Sequence, residues 1–289
     1  MKFAAFRHIV RLERHMRVLN LLFASSLLVN WAAAQTPTIA TGGIVNAASF
    51  QAGQAITPGS LISIFGTALA SSLAQADSIP LSTSMAGVSV QFVNGSVTAN
   101  APLLYMQPDD ASHNVASQIN LQVPWEIVTA GTSATVNVIV TNNGVSSQPT
   151  PVSVAPFSPG IFSSNGLAIA QNADGSLTWA SGTVPGLVTH AAKAGDVLVI
   201  YATGLGAVDS SVPDGQNSID KLRNTLTKPI VLIGGMSAQV LFSGLSPQFV
   251  GVNQLNVVVP NAAPGSNVPL QLQLGGTTTS DRIGIAITQ

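Results

Sequence analysis

Any chemistry in this chain must be carried by very few side chains. Beyond residue 34 it has two histidines, His113 and His190, one glutamate, Glu126, nine aspartates and no cysteine. A zinc or other transition-metal site needs several such ligands converging. No H-E-x-x-H motif and no paired histidines occur, so neither a metal nor a cofactor is expected. A serine nucleophile would need His113 or His190 as its base. His113 follows Asp109-Asp110 and precedes Asn114 in the densest polar cluster. That cluster reads as a solvated loop, with a calcium loop or an acid/base pair as the chemical alternatives. His190, before Ala191-Ala192-Lys193, also reads as a loop residue. The nucleophile-elbow pattern G-x-S-x-G is absent, because Gly244-Leu245-Ser246-Pro247-Gln248 lacks the final glycine. A carboxylate pair for glycoside hydrolysis would have to draw on aspartate, since Glu126 is the only glutamate.

Other motifs favour structure over chemistry. Asn172-Ala173-Asp174-Gly175-Ser176 opens like a calcium loop but has no glutamate at the twelfth position, and reads as a hairpin turn. Gly204-Leu205-Gly206 follows a strand but lacks the third glycine of a dinucleotide fingerprint, so these glycines are expected to bend the strand. Trp125 and Trp179 are the candidate ligand-binding residues, as platforms for sugar stacking, with packing at a sandwich rim as the alternative. Gln118-x-Asn120 and Gln254-x-Asn256 each place two amides on one strand face, where they are expected to tie strand to loop by hydrogen bonds.

These residues sit in a chain that repeats itself. Gly59 to Leu69 reads against Gly195 to Leu205, and Gln118-Ile119-Asn120-Leu121-Gln122-Val123-Pro124 against Gln254-Leu255-Asn256-Val257-Val258-Val259-Pro260, both at an offset of 136 residues. Two blocks keeping one register indicate duplicated units. Each copy is a series of short apolar runs cut by Gly, Pro, Asn and Ser. Leu61, Ser63 and Phe65 alternate with Ile62 and Ile64, as in a central strand covered on both faces. Asn94-Gly95 and Asn142-Asn143-Gly144 are hairpin signals. About seven strands per copy predict an all-β chain of two tandem immunoglobulin-like β-sandwich domains, residues 43–155 and 156–289. Residues 35–42 read as a linker, and Ser218 to Leu226 is the one place where a helix is expected.

The first 34 residues read as a signal peptide. A basic stretch with Lys2, Arg7, Arg11, Arg14 and Arg17 precedes an apolar run from Val18 to Val29 and a small-residue cleavage site at Ala32-Ala33-Ala34. The basic stretch is long, and Met16-Arg17 would itself begin an ordinary leader, which suggests translation from Met16. Cleavage leaves an acidic chain, five basic against ten acidic residues, which argues against nucleic acid and anionic membranes as partners. Charged residues are only 7% of the chain, against about 25% in typical domains. Solubility therefore rests on hydroxyl and amide side chains, which suit strands and turns.

Several phrases carry a resemblance: Val45-Asn46-Ala47-Ala48-Ser49-Phe50, Ile64-Phe65-Gly66-Thr67, Ala101-Pro102-Leu103-Leu104-Tyr105, Gln118 to Glu126, Pro159-Gly160-Ile161-Phe162 and Tyr201-Ala202-Thr203-Gly204-Leu205-Gly206. In these the chain resembles an uncharacterised C-terminal domain family of acidobacteria, of the Solibacter type, itself similar to TIG/IPT immunoglobulin-like modules of secreted and surface proteins. The resemblance implies an extracellular setting and supplies no catalytic or ligand residues. Together these readings give an exported, non-catalytic interaction or adhesion module, secreted or held at the cell surface or in the periplasm, binding an extracellular polysaccharide or protein. A hydrolase using His113 or His190 and a structural spacer are the alternatives.

Overall fold

The computed structural model describes residues 35–279 and 282–289. The expected signal peptide lies outside the described residues. The described chain is all-β, with no α-helix among those residues and a single 3-10 turn at Trp125–Ile127. None of its helices is long and apolar enough to cross a membrane.

Two separate apolar clusters organise the chain. The first draws only on residues 39–154, the second only on residues 157–287. In the first, the strand Leu61–Thr67 is central, as its two-faced pattern predicts. It lies between Thr38–Asn46 and Ser117–Gln122, and the sheet continues through Leu103–Gln107 to Ala74–Gln75. A second sheet is built on Val88–Asn94 and Ala134–Asn142. Alternate residues of each sheet turn inward. Ile62, Ile64, Ile119 and Leu121 meet Val90, Phe92, Val138 and Val140, and all eight are fully buried. Burying an aliphatic side chain of this size contributes about 1.5–3 kcal/mol.

The second cluster has the same plan. Val197–Thr203 pairs with Asn253–Val258, and Ile230–Ile233 pairs with Gly265–Leu274. The repeat is visible in the register. Ser63 faces Asn120 and Phe65 faces Gln118 in the first half, while Val199 faces Asn256 and Tyr201 faces Gln254 in the second. The halves differ where the chain changes layer. In the first, pairing breaks at Ala101-Pro102, between the strands Val97–Asn100 and Leu103–Gln107, because proline has no N–H for the ladder. In the second, one unbroken strand, Met236–Leu245, pairs through Ala238 with Ile230–Ile233 and from Gln239 onward with Asn253–Val258, with a bulge between Val240 and Phe242 inside that second pairing. The strand thereby passes from one layer into the other, and the two layers join as one 11-stranded sheet.

Local expectations are corrected in three places. Residues 38–42 are not linker; they open the strand Thr38–Asn46, which pairs with Gly66 and Thr67. The first hairpin turns at Gly95-Ser96, because Asn94 still pairs with Val97 and its side chain donates to the Ile127 carbonyl at 2.9 Å. The segment Ser218 to Leu226 forms no helix. Its residues 223–225 lie along the edge of Met236–Leu245, with Thr225 N donating to Ser243 O and Leu245 N to Arg223 O, both at 2.9 Å. Covering an open sheet edge outweighs a weak helix propensity.

Arg223 anchors that segment. It is 3% exposed, and its guanidinium donates twice to Asp220 (2.7 and 3.1 Å), to Ser211 O and to Ser218 Oγ. Arg223→Ala removes all four bonds and strands the Ser211 carbonyl, so we expect a loss of about 2–3 kcal/mol. Limited proteolysis read by mass spectrometry should show new cleavage within residues 209–226. Unchanged cleavage kinetics would contradict the anchoring role.

Candidate functional site

The two halves meet along a polar seam. Asn46 Nδ2 donates to Ser158 O at 2.7 Å, and Ser158 Oγ donates to Ala55 O. Thr203 lies at its centre and is fully buried. Its hydroxyl donates to Gly251 O (2.7 Å) and accepts the Leu61 amide (2.9 Å). One side chain thereby fastens the loop 246–252 of the second half to the central strand of the first. The loop closes on itself through Ser246 N to Val252 O at 2.8 Å, and Gly251 takes φ +69° at its tip.

That loop raises Phe249 into solvent, 49% exposed, edge-on to Tyr201 with ring centroids 6.0 Å apart at 82°. On each side of it lies a hollow. One, of about 470 Å³, is walled by Leu61, Ile79, Leu81 and Leu104, with Asp77 as its charged group. The other, of about 610 Å³, is walled by Phe162, Ile169, Tyr201 and Gln171. Leu61, Gln248, Phe249 and Val252 border both. The result is a long, open, mainly apolar groove with an aromatic ridge across its middle and amides at its rim.

A carboxylate pair spans the seam next to it. Asp214 accepts the Trp125 amide at 3.0 Å and has the Glu126 carboxylate as its charged neighbour. Burial is the main reason why the Asp214 pKa is pushed up to about 7, and Glu126 adds to the rise. The next residue joins the groove, because Gly215 N donates to Gln122 Oε1 (2.7 Å) and Gly215 O accepts from Leu81 N (2.9 Å).

The expected site residues are placed as follows. Trp179 is 5% exposed and donates its indole N–H to Ala168 O at 2.7 Å, so its ring is enclosed and has no face for a sugar. Trp125 is half-buried in the 3-10 turn and covers Gly59, where a Cβ would lie 2.1 Å from its ring. The structure does not bring these two residues together at the groove.

Each histidine lies beside an aspartate that itself accepts from a serine, which is the wrong order for a relay. His113 Nδ1 lies 2.6 Å from Asp110 Oδ2 and 3.0 Å from Ser112 Oγ. One nitrogen thus serves both partners, whereas a triad uses opposite ring nitrogens. The cluster is one exposed turn. The hydrogen bonds from Ser112, with help from His113, hold Asp110 below the usual carboxylate range. His190 Nε2 lies 3.1 Å from Asp174 Oδ2, but Ser176 Oγ donates to Asp174 Oδ1, not to the imidazole. The Ser176 bonds are the main cause of an Asp174 pKa lowered to about 2, and the Ala191 carbonyl followed by Asp174 raises that of His190. Among the described residues no group of three His, Cys, Asp or Glu side chains converges.

Gly204 and Gly206 sit at φ +80° and +86°, and the space beside them is filled by Pro156, Phe157 and Ser158, which leaves no cradle for a phosphate. The repeated amides bond along their own strands, Gln118 Nε2 to Asn120 Oδ1 at 2.7 Å and Gln254 Nε2 to Asn256 Oδ1 at 2.9 Å, not from strand to loop. Sequence reasoning missed Phe249, Tyr201 and the Glu126–Asp214 pair. A signal for the first existed in Pro247-Gln248-Phe249-Val250-Gly251, an aromatic inside a turn-rich segment of a chain with 5% aromatics. The carboxylates lie in different halves, so no local spacing could have announced them.

No protein-family model matches the chain, and no curated protein matches it. Among solved structures it is similar to a Bacteroides ovatus mixed-linkage glucan utilization locus protein, SGBP-B, in complex with a mixed-linkage heptasaccharide, at 13% identity and a TM-score of 0.33 over 89% of this chain and 47% of that one. The chain thus spans about half the length of that protein. It is also similar to the C-terminal domain of the Streptococcus agalactiae AgI/II polypeptide BspA, at 12% identity and a TM-score of 0.19 over 84% and 96% of the two chains. A third is domains 5–6 of the S-layer protein SbsC, at 10% identity and a TM-score of 0.22 over 88% and 99%.

Proposed function

We propose that this chain is an exported, non-catalytic binding module that seats an extended, neutral polysaccharide in the groove at the seam. In this reading its two halves are tandem immunoglobulin-like sandwiches of the Solibacter-type family, and the protein works outside the cytoplasm. The observation that carries the binding reading is Phe249, a half-exposed ring held edge-on by Tyr201 between two hollows. A ring face presented this way stacks on the C–H surface of a sugar, and the open ends let a polymer run through. Gln171 and Gln248 offer planar donors and acceptors for hydroxyls. Asp77 is the charged group in the lining, which favours a neutral chain over an anionic one.

Affinity electrophoresis of residues 35–289 in gels containing hydroxyethyl cellulose, xylan or a soluble 1,3-β-glucan tests this, with released sugars assayed in parallel. We expect retardation in at least one gel, no released sugar, and at least a ten-fold loss of affinity in Phe249→Ala, about 1.4 kcal/mol. Free migration in every gel would remove the polysaccharide reading and leave a protein partner. Released sugar would replace it with a hydrolase.

A further inference from the structure

The aromatic and amide groups around Tyr201 recur in the first half at the same register. In the second half, Tyr201 pairs with Gln254 in one row of the sheet, and Phe242 with Asn256 in the next. In the first half, Phe65 pairs with Gln118, and Tyr105 with Asn120. Each face therefore has two strand amides bonded to each other and flanked diagonally by two aromatic rings. All eight side chains are half-buried, while Ile119, Leu121, Leu255 and Val257 between them turn into the cores. The likeness extends to a further ring. Phe249 stands beside Tyr201, and Phe50, 53% exposed, stands beside Phe65 with centroids 6.3 Å apart.

Phe50 is the most telling of these. It holds φ +51°, with its N–H bonded to Asn46 O at 2.9 Å. A bulky side chain in that region is strained, and such strain concentrates at functional sites. Glycine would make the same turn without strain, so what phenylalanine adds here is a ring in solvent. No Asp, Glu, His, Lys or Arg side chain belongs to either set. A surface of ring faces and amides, with Asn120 Oδ1 held from beneath by the buried Ser63 hydroxyl at 2.8 Å, matches uncharged, hydroxylated ligands.

We infer that the first half carries a second saccharide-binding face, formed by Phe50, Phe65, Tyr105, Gln118 and Asn120, so that one chain grips a neutral glycan polymer at two points. This rests on the reading of the groove as a polysaccharide site. The described residues belong to one compact unit, so the two faces are held in fixed relation. The second contact is then intramolecular, and joining two weak sites in this way raises affinity by about 100-fold or more.

The test uses residues 35–289 with whichever of the three polymers retards it, and with a six-sugar fragment of that polymer. The first face is removed by Phe50→Gly with Gln118→Ala, both outside the cores, and the groove by Phe249→Ala. Thermal melting verifies that each variant folds. We expect calorimetry to count two fragments per wild-type chain and one per variant. Polymer affinity should fall on the order of 100-fold in either variant, and binding should vanish when the changes are combined. One fragment per wild-type chain, lost in Phe249→Ala and unaffected by Phe50→Gly with Gln118→Ala, would overturn the second face and leave the groove standing. Absence of binding by the wild type would overturn both.

Discussion

Gly204→Ala should destabilise the protein by about 3–4 kcal/mol and lower Tm by roughly 10 °C. Gly204 has φ +80°, and an added Cβ would lie 2.0 Å from the Ser158 carbonyl oxygen. Left-handed backbone alone costs an L-residue about 1–2 kcal/mol. The remainder comes from the seam, because Ser158 cannot retreat. Its N–H donates to Gly204 O at 2.9 Å and its carbonyl accepts Asn46 Nδ2 at 2.7 Å. Relieving the overlap therefore breaks contacts between the halves. Gly175→Ala is the matched control, with φ +83° and nothing within 4 Å of the added carbon; it should cost only the backbone strain. Melting curves of the two variants decide the matter. Equal shifts would mean that the close approach at Gly204 contributes nothing.

The second large effect is on pH dependence. Asp214 has its pKa raised from 3.8 to about 7. Between those values the folded protein holds a proton that the unfolded chain releases, so stability falls as pH rises. The contribution is complete below about pH 4 and lost through pH 7. The full shift corresponds to about 4 kcal/mol, and partial solvent access reduces this to about 2 kcal/mol, or roughly 4–8 °C in Tm. Asp110, Asp174, Asp209 and Asp220 have lowered pKa values and act in the opposite sense at lower pH. His190 is raised and shares the sign of Asp214, but it survives in an Asp214 variant and cancels in the comparison. Asp214→Asn keeps an acceptor for the Trp125 amide and has no carboxyl to titrate. Its Tm should decline less between pH 5 and 8 than that of the wild type, the residual slope being that of His190. Parallel declines would show that the carboxylate pair does not control the seam. Because Gly215 holds Leu81 in the groove wall, ligand affinity of the wild type should weaken over the same interval.

The strands and their register were the legible part of this sequence. Alternation in Leu61 to Phe65 and the 136-residue offset of the amide phrases reflect a period-2 pattern and a duplicated pairing, and both are local. The seam was not legible. Thr203 bonds to Leu61 and Gly251, which are 142 and 48 residues away, and its sequence context is that of any strand end. The expected helix at Ser218 to Leu226 failed for the same reason: the competing edge belongs to a strand about 20 residues further on. The two tryptophans drew attention by residue type, yet Trp179 serves the interior. The exposed rings are phenylalanines in turns, Phe50 and Phe249, where phenylalanine is ordinarily read as core. Exposure is set by tertiary structure, and one sequence carries little record of it.

The most direct test of the groove is amide hydrogen exchange of residues 35–289 with and without a six-sugar fragment of the polymer that retards the protein. The account predicts slowed exchange in the loop 246–252 and at the groove strands near Leu61, Leu104 and Tyr201, with the loops bearing His113 and His190 unchanged. Protection confined to those histidine loops, or none at 246–252 under saturating fragment, would contradict it.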